Sequence, residues 1–270
     1  MISLIALLIA ILLPALSRTK ESANRTQCSA NVRSVTQAHI ILGESNKSRY
    51  RLTNRWLGSS SFEYRDTTES SYDEIGNPMS DHISQINKHV YIDMLDNGID
   101  FSNFSCPNRG LDFVVTQPRS LPIDALKNPR DYPDLIFVRT AFYQMAGRDQ
   151  RVLDNQTNFP PPRPGQVNRR WLSPKSLDDS GELPMAACMI EKGTINPALS
   201  TFPHGPKGMI EARQSEFPDS TKSEGGNVAA NDGSVLFLRT EDAARFPAHP
   251  GASNIVGHWQ DVDAYNRVNQ

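Results

Sequence analysis

The sequence lacks the excess of charge that would attract a highly charged partner. Its 28 Lys and Arg residues nearly balance its 30 Asp and Glu residues, and the formal net charge at pH 7 is −2. Proteins that bind nucleic acid instead carry a basic patch or stripe that neutralises phosphates. We therefore expect no nucleic-acid partner.

Short motifs for nucleotide, metal and acyl-transfer chemistry are also absent. The chain contains no G-x-x-x-x-G-K-[ST], G-x-G-x-x-G, H-E-x-x-H or G-x-S-x-G sequence, and its six histidines show no metal-ligand spacing. These motifs are typical of nucleotide-binding, zinc-protease and serine-hydrolase sites. The sequence therefore predicts no cofactor, no metal site and no catalytic residue, and it indicates no small-molecule substrate.

Cysteine is scarce. Cys28, Cys106 and Cys188 lie far apart and form no C-x-x-C pair or Cys/His cluster along the chain. In an exported protein two of them could form a disulfide and leave one thiol over, and the alternative is that the thiols are buried and free. Cys188 lies in the apolar run 185–190, and we interpret it as a small core residue.

A long hydrophobic run occurs only in the first 17 residues, which carry no charged side chain, and Arg18 and Lys20 follow at once. A helix of about 16 residues rises only about 24 Å, whereas the hydrocarbon core of a membrane is about 30 Å thick. The stretch therefore predicts either a signal peptide cleaved near Ser17 or a spanning helix whose first part precedes Met1. Its membrane or assembly residues are Ile2, Leu4, Ile5, Leu7, Leu8, Ile9, Ile11, Leu12, Leu13, Pro14 and Leu16.

The helical pattern continues beyond this stretch. Val32, Val35, Ala38 and Leu42 recur at spacings of three and four residues, with polar residues between them. Gly43 is the expected C-cap. We predict one helix over about residues 2–43, apolar on all sides at first and then amphipathic.

A second helix is expected to follow a polar loop. Ser80 or Asp81 would cap it, and it would end at Asn97-Gly98. Its apolar stripe comprises Ile83, Ile86, Val90, Tyr91 and Leu95. The acidic residues nearby are Asp93, Asp96 and Asp100. Their spacing does not fit an EF-hand loop, so we interpret them as solvated charges and not as a calcium site.

Strand patterns occupy the second half of the chain. Residues 111–115, 135–143 and 183–190 are rich in β-branched, aromatic or small apolar side chains. Residues 225–239 contain two such runs around Asp232-Gly233, which predicts a hairpin with a type I′ turn. A catalytic role for Asp232 or His204 is the less favoured alternative, since turn chemistry already accounts for Asp232.

The first 33 residues resemble the N-terminal helix of type IV pilin-like proteins, and most closely that of type II secretion pseudopilin-like proteins. Cys28 within residues 27–31, Cys106-Pro107 after the second helix, and the glycine-rich hairpin with His204-Gly205 upstream also resemble that group. The family's G-F-T-L-I-E-L segment and basic leader do not occur in this chain. We therefore expect the true start to lie upstream of Met1.

The resemblance implies an α+β fold in which residues 1–43 form the N-terminal helix. Residues 44–246 would form an antiparallel-sheet head with long loops, and residues 247–270 a tail packed on the head. It further implies a non-enzymatic structural subunit with a single pass through the cell membrane and a periplasmic or extracellular head. Its partners would be the membrane and other pilin-like subunits.

The resemblance also implies a disulfide between Cys28 and Cys106, which would be worth about 3–5 kcal/mol because it closes a long loop. The alternative function is a secreted soluble binding protein, or a hydrolase without a recognisable motif, released by cleavage near Ser17.

Overall fold

The computed structural model describes residues 2–50, 85–111, 114–117, 120–147, 173–188, 191–192, 199–206, 208–213 and 224–239. The predicted caps Ser80 and Asp81, the apolar residue Ile83 and the predicted tail 247–270 lie outside these residues. The helices are α1 (Ile2–Ser45), α2 (Lys88–Asp96) and α3 (Asp124–Lys127). The strands are β1 (Gln85–Asn87), β2 (Val115–Gln117), β3 (Phe137–Arg139), β4 (Phe142–Gln144), β5 (Pro184–Cys188), β6 (Glu191–Lys192), β7 (Leu199–Gly205), β8 (Gly208–Arg213), β9 (Gly225–Ala230) and β10 (Val235–Arg239).

Helix α1 is continuous for 44 residues, with Pro14 inside it. Its second part is amphipathic as predicted, because the buried residues Cys28, Val32, Val35, Ala38 and Leu42 follow one another at spacings of four, three, three and four. This stripe packs against β5, β7, β9 and β10 and against α2. The helix is therefore part of the core of the head.

The predicted C-cap at Gly43 is wrong, since the helix runs on to Ser45. The chain turns only at Lys47 and Ser48, whose φ angles are +55° and +62°. Gly43 instead allows a close approach, because a Cβ atom there would lie 3.1 Å from the ring of Tyr50.

The second helix is shorter than predicted. Residues 85–87 form strand β1, which pairs with β3, and Ile86 lies opposite Val138. The helix begins at Lys88, where the side chain of Asn87 accepts a hydrogen bond from the backbone of Val90. Its predicted end is confirmed, and Gly98 has a φ of +87°.

The described strands form two antiparallel sheets, and the larger of them packs against α1. The smaller has the strand order β1-β3-β2. The larger has the order β4-β5-β9-β7-β6, with β10 paired to β9 and β8 paired to β7. The coarse prediction of an α+β fold, an N-terminal helix with antiparallel sheets, is therefore confirmed.

The main hydrophobic cluster lies between α1, α2 and the smaller sheet. Tyr91 and Phe104 are its largest fully buried side chains, and Val35 and Ala38 of α1 close it from the other side. The rings of Tyr91 and Phe104 are 5.1 Å apart. The burial of these large side chains joins α1 to the head through apolar contacts.

The predicted hairpin is present as β9 and β10, with Val235 opposite Ala229. Its turn differs from the predicted type I′, because Gly233 has a φ of +80° and Asp232 does not adopt a positive φ. The backbone of Gly233 donates to Ala230, and that of Ala230 donates to Ser234. This pattern is a three-residue loop with glycine in the left-handed position.

Within the described residues, no helix has a stretch that is long and apolar enough to cross a membrane. The apolar residues of α1 that the structure places at its start are nevertheless exposed: Ile5, Ile11, Leu12, Leu13 and Leu16. For Ile2, Leu4, Leu7, Leu8 and Ile9 the structure describes only the helical backbone.

Candidate functional site

Three cysteines and one histidine from four separate segments meet beneath α1. Cys28 belongs to the buried face of α1, and Cys106 follows the short 3-10 helix Phe101–Phe104. Cys188 is the last residue of β5, and His204 lies near the end of β7. All four side chains are 0% exposed.

Sheet topology explains why Cys188 and His204 come together. Strand β10 occupies one edge of β9, so β5 and β7 must share the other edge. On that edge Ala187 of β5 lies opposite Val228, and His204 of β7 lies opposite Gly225. Cys188 and His204 are therefore neighbours along β9.

The donor atoms of this cluster lie close to one another. The Sγ atoms of Cys28 and Cys188 are 3.2 Å apart. The Nε2 atom of His204 is 3.8 Å from Sγ of Cys106 and 3.8 Å from Sγ of Cys188. The donor atoms of Cys28, Cys106 and His204 all lie within 4.8 Å of one another.

A carboxylate holds the other side of the histidine ring. The Nδ1 atom of His204 is 3.0 Å from Oε1 of Glu21, which is only 4% exposed. The amide of Asn108 donates to Oε2 of Glu21 over 2.8 Å, and Nε of Arg25 donates to Oε1 over 3.0 Å. These contacts fix the ring so that Nε2 faces the three sulfurs.

The electrostatics of Glu21 and His204 are coupled. Burial by itself would raise the pKa of the Glu21 carboxyl, but hydrogen bonds from His204, Asn108 and Arg25 hold that pKa below its ordinary value. Burial by itself would lower the pKa of His204, yet the nearby Cys106, Cys188 and Glu21 raise it to about 11. Both shifts favour the charged forms, a carboxylate at Glu21 beside a protonated His204.

The pKa values of the three thiols are shifted in different directions. Burial raises the pKa of Cys28 and that of Cys188 above the ordinary value of a thiol. Hydrogen bonds from the thiols of Cys188 and Cys28, together with the contact with His204, lower the pKa of Cys106. A thiolate at Cys106 beside a protonated His204 is the charge state that these interactions favour.

The cluster combines two kinds of chemistry. One is nucleophilic catalysis, because His204 lies between a thiol, Cys106, and a carboxylate, Glu21. This is the arrangement of a nucleophile, a base and a group that orients the base. However, the sulfur and the ring are fully buried, so a substrate could not reach them without an opening of the fold. Three sulfurs and one imidazole nitrogen are also a set of soft metal ligands.

The predicted pair Cys28 and Cys106 is thus brought together, and Cys188, interpreted as a small core residue, is buried and joins them. All three cysteines are free thiols in the structure, and the Cys28–Cys106 disulfide stays a prediction. Asp232 is in the exposed hairpin turn, where its carboxylate accepts a hydrogen bond from the backbone of Ser234. It is therefore a turn residue, as expected.

The sequence did not predict that His204 lies beside the three cysteines. The four ligand-type residues belong to a helix, a loop and two strands, so no local spacing connects them. The odd number of cysteines was the one available signal, since it left a thiol that a single disulfide could not use.

Asp96 and Asp100 have separate roles on the surface. Asp96 forms an ion pair with Arg130. Asp100 caps the short 3-10 helix, because its carboxylate accepts a hydrogen bond from the backbone of Ser102. Both contacts agree with the interpretation of these residues as solvated surface charges.

Comparison of the chain with protein-family models, with curated proteins and with solved structures finds no match in any of the three.

Proposed function

We propose that the chain is a non-enzymatic, pilin-like structural subunit of a type IV pilus or a type II secretion-type assembly. The start of α1 would be held in the cell membrane and would contact other pilin-like subunits, with the α+β head periplasmic or extracellular. The observation that carries the proposal is the division of α1 into two parts. The apolar side chains described in its first part are 57–66% exposed, and from Cys28 to Leu42 the same helix has a buried apolar stripe.

An uncovered row of large apolar side chains needs a partner. At 3.6 residues per turn, Ile11, Leu12, Leu13 and Leu16 span about 200° of the helix circumference, which makes a broad exposed apolar face. Such a face is stable in lipid or among the apolar helices of other subunits, and it is unfavourable in water. The same residues would serve as anchor and as assembly surface.

The continuity of α1 supports an anchor over a cleaved signal peptide. The helix passes through Ser17 without a break, and Glu21, four residues later, is already buried against the head. The burial of the cysteine cluster also favours a structural function over hydrolysis.

Membrane fractionation of the full chain tests the anchor. We expect the unaltered chain in the membrane fraction, resistant to salt and to alkaline extraction, and we expect the double variant Leu12→Glu/Leu13→Glu to move to the soluble fraction. The matched control is Leu236→Glu, because Leu236 is an apolar residue 53% exposed on β10. The control should fractionate like the unaltered chain.

The assembly contact needs a separate readout. A photo-reactive amino acid at Leu16 should cross-link the chain to a second subunit, whereas the same group at Leu236 should not. Intact mass of the product tests the alternative function. A soluble product cleaved near Ser17, or equal fractionation of the two glutamate variants, would overturn the proposal.

A further inference from the structure

The four ligand-type side chains beneath α1 have the composition of a structural zinc site. Such sites bind zinc with four protein ligands, and three cysteines with one histidine is one of the common sets. The donors here are Cys28, Cys106, Cys188 and His204, and all four are fully buried. Structural zinc sites are closed to solvent in the same way, whereas catalytic sites keep one position open to water.

Two of the distances between the donor atoms match those around one tetrahedral ion, and a third is shorter. With Zn–S of about 2.3 Å and Zn–N of about 2.0–2.1 Å, tetrahedral geometry places two sulfurs about 3.8 Å apart and a sulfur about 3.6 Å from the nitrogen. The distances from Nε2 of His204 to the sulfurs of Cys106 and Cys188 are both 3.8 Å. The Cys28–Cys188 distance of 3.2 Å requires a shift of about 0.6 Å to reach the same value.

The groups behind the ligands are those that a zinc site needs. A histidine that binds zinc through one nitrogen donates its other N–H to a carboxylate or carbonyl group, which fixes the ring. Glu21 occupies that position, 3.0 Å from Nδ1 of His204. The backbone N–H of Asn227 donates to Sγ of Cys188 over 3.3 Å, which stabilises negative charge on that sulfur.

From this arrangement we propose that Cys28, Cys106, Cys188 and His204 bind one zinc ion, which fixes α1 to the head. Binding of the ion releases three protons, from the thiols of Cys28 and Cys188 and from Nε2 of the imidazolium, so that three thiolates and a neutral imidazole hold the metal. The donors come from α1, from the segment after the first 3-10 helix, from β5 and from β7, so the ion connects four parts of the fold. The site is independent of whether the chain assembles as a pilin-like subunit.

A disulfide competes directly with this site. Cys28 is a ligand in the zinc site and also a partner in the disulfide that the family resemblance implies. Oxidation of Cys28 with either Cys106 or Cys188 would remove two of the four ligands and leave one thiol. The two states therefore differ in their thiol count as well as in metal content, and one experiment separates them.

The test uses the full chain in detergent, purified with an affinity tag that contains neither histidine nor cysteine. We expect one zinc ion per chain by mass spectrometry of the metal, and three free thiols after denaturation with a chelator. Replacement of the zinc by Co²⁺ should give the visible absorption of tetrahedral cobalt bound to thiolates. These readings need no variant, so they stand even where a substitution prevents folding.

Variants then assign the ligands. His204→Gln should lose the cobalt spectrum. The matched control His39→Gln, which replaces another buried histidine 3% exposed and bonded to Gln144, should keep it. Glu21→Gln keeps an acceptor for Nδ1–H but removes the charge, and we expect it to weaken zinc binding by about 10–100-fold.

Three results would overturn the proposal. The first is a chain isolated under reducing conditions that holds well below one zinc ion and gives no thiolate-type cobalt spectrum. The second is a single free thiol in the chain as isolated without reductant, since that is the disulfide state. The third is equal zinc affinity in His204→Gln and His39→Gln.

Discussion

Among the glycines that the structure describes, Gly225 is the one where an added methyl group should disturb the head most. Its φ is +149°, and a Cβ atom there would lie 2.0 Å from the carbonyl oxygen of Leu238 and 2.8 Å from the ring of Phe237. Cβ atoms essentially never approach a neighbour closer than 3.0 Å. In Gly225→Ala the Leu238 carbonyl would therefore have to move away by at least about 1 Å, against the pairing of β9 with β10.

The expected loss of stability has two parts. Overpacking costs about 1–3 kcal/mol, and a sparsely populated backbone conformation costs about 1–3 kcal/mol. Together they give about 2–6 kcal/mol, a large fraction of the about 5–15 kcal/mol that stabilises a typical native protein. With a typical urea dependence of about 2 kcal/mol per molar, the unfolding midpoint should fall by about 1–3 M.

Gly98→Ala is the matched control. Gly98 also has a positive φ, +87°, but no atom lies within 4 Å of the added Cβ. This variant should therefore show only the backbone penalty, about 1–2 kcal/mol. Urea unfolding followed by far-ultraviolet circular dichroism measures both variants. If Gly225→Ala is no less stable than Gly98→Ala, the steric argument is refuted.

The same variant should affect the cysteine cluster. Gly225 lies opposite His204 in the sheet, and the ring of Phe237 is 5.9 Å from that of His204. A displaced β10 would loosen both contacts. We expect the three buried thiols to react faster with a thiol reagent in Gly225→Ala than in Gly98→Ala, and equal rates would contradict this coupling.

Two further predictions concern the hydrophobic cluster and a cap. The hydroxyl of the fully buried Tyr91 donates to the carbonyl of Leu126 over 2.7 Å, so Tyr91→Phe should lower the free energy of unfolding by about 1–3 kcal/mol in urea titrations. Tyr132→Phe, which removes a bond to an exposed carboxylate, should change it by less than about 0.5 kcal/mol, and equal losses would contradict the argument. The hydrogen bonds from Ser102 lower the pKa of Asp100, so the charged form is the one that stabilises the fold. Asp100→Ala should cost about 0.5–1 kcal/mol at neutral pH, and the difference from the unaltered chain should shrink as the pH falls below about 4; a constant difference down to low pH would refute this.

Features with a local cause could be predicted from the sequence. The end of the long helix was predicted to within two residues. Its apolar residues recur every three or four positions, and this local pattern is visible in the sequence. The β9–β10 hairpin was predicted from Asp232-Gly233, since glycine is needed where φ is positive. The type of turn was not, because a three-residue and a two-residue loop place the same two residues at the tip.

Features with a distant cause could not be predicted. Ile86 fits the apolar spacing of a helix as well as it fits strand β1, and its pairing with Val138 decides between the two. The cluster of Cys28, Cys106, Cys188 and His204 depends on the order of strands around β9, which single-sequence patterns do not contain. Cys28 and Cys188 are 160 residues apart in the sequence, yet their sulfurs are only 3.2 Å apart.

The packing of α1 also has a mechanical consequence. The buried side chains from Cys28 to Leu42 extend along about 21 Å of the helix axis, at about 1.5 Å per residue. A force applied along that axis to the exposed apolar end would load these contacts at the same time and in shear. Contacts that share a load in shear resist it far better than contacts that open one after another. The head would therefore be able to bear tension delivered through its own first helix.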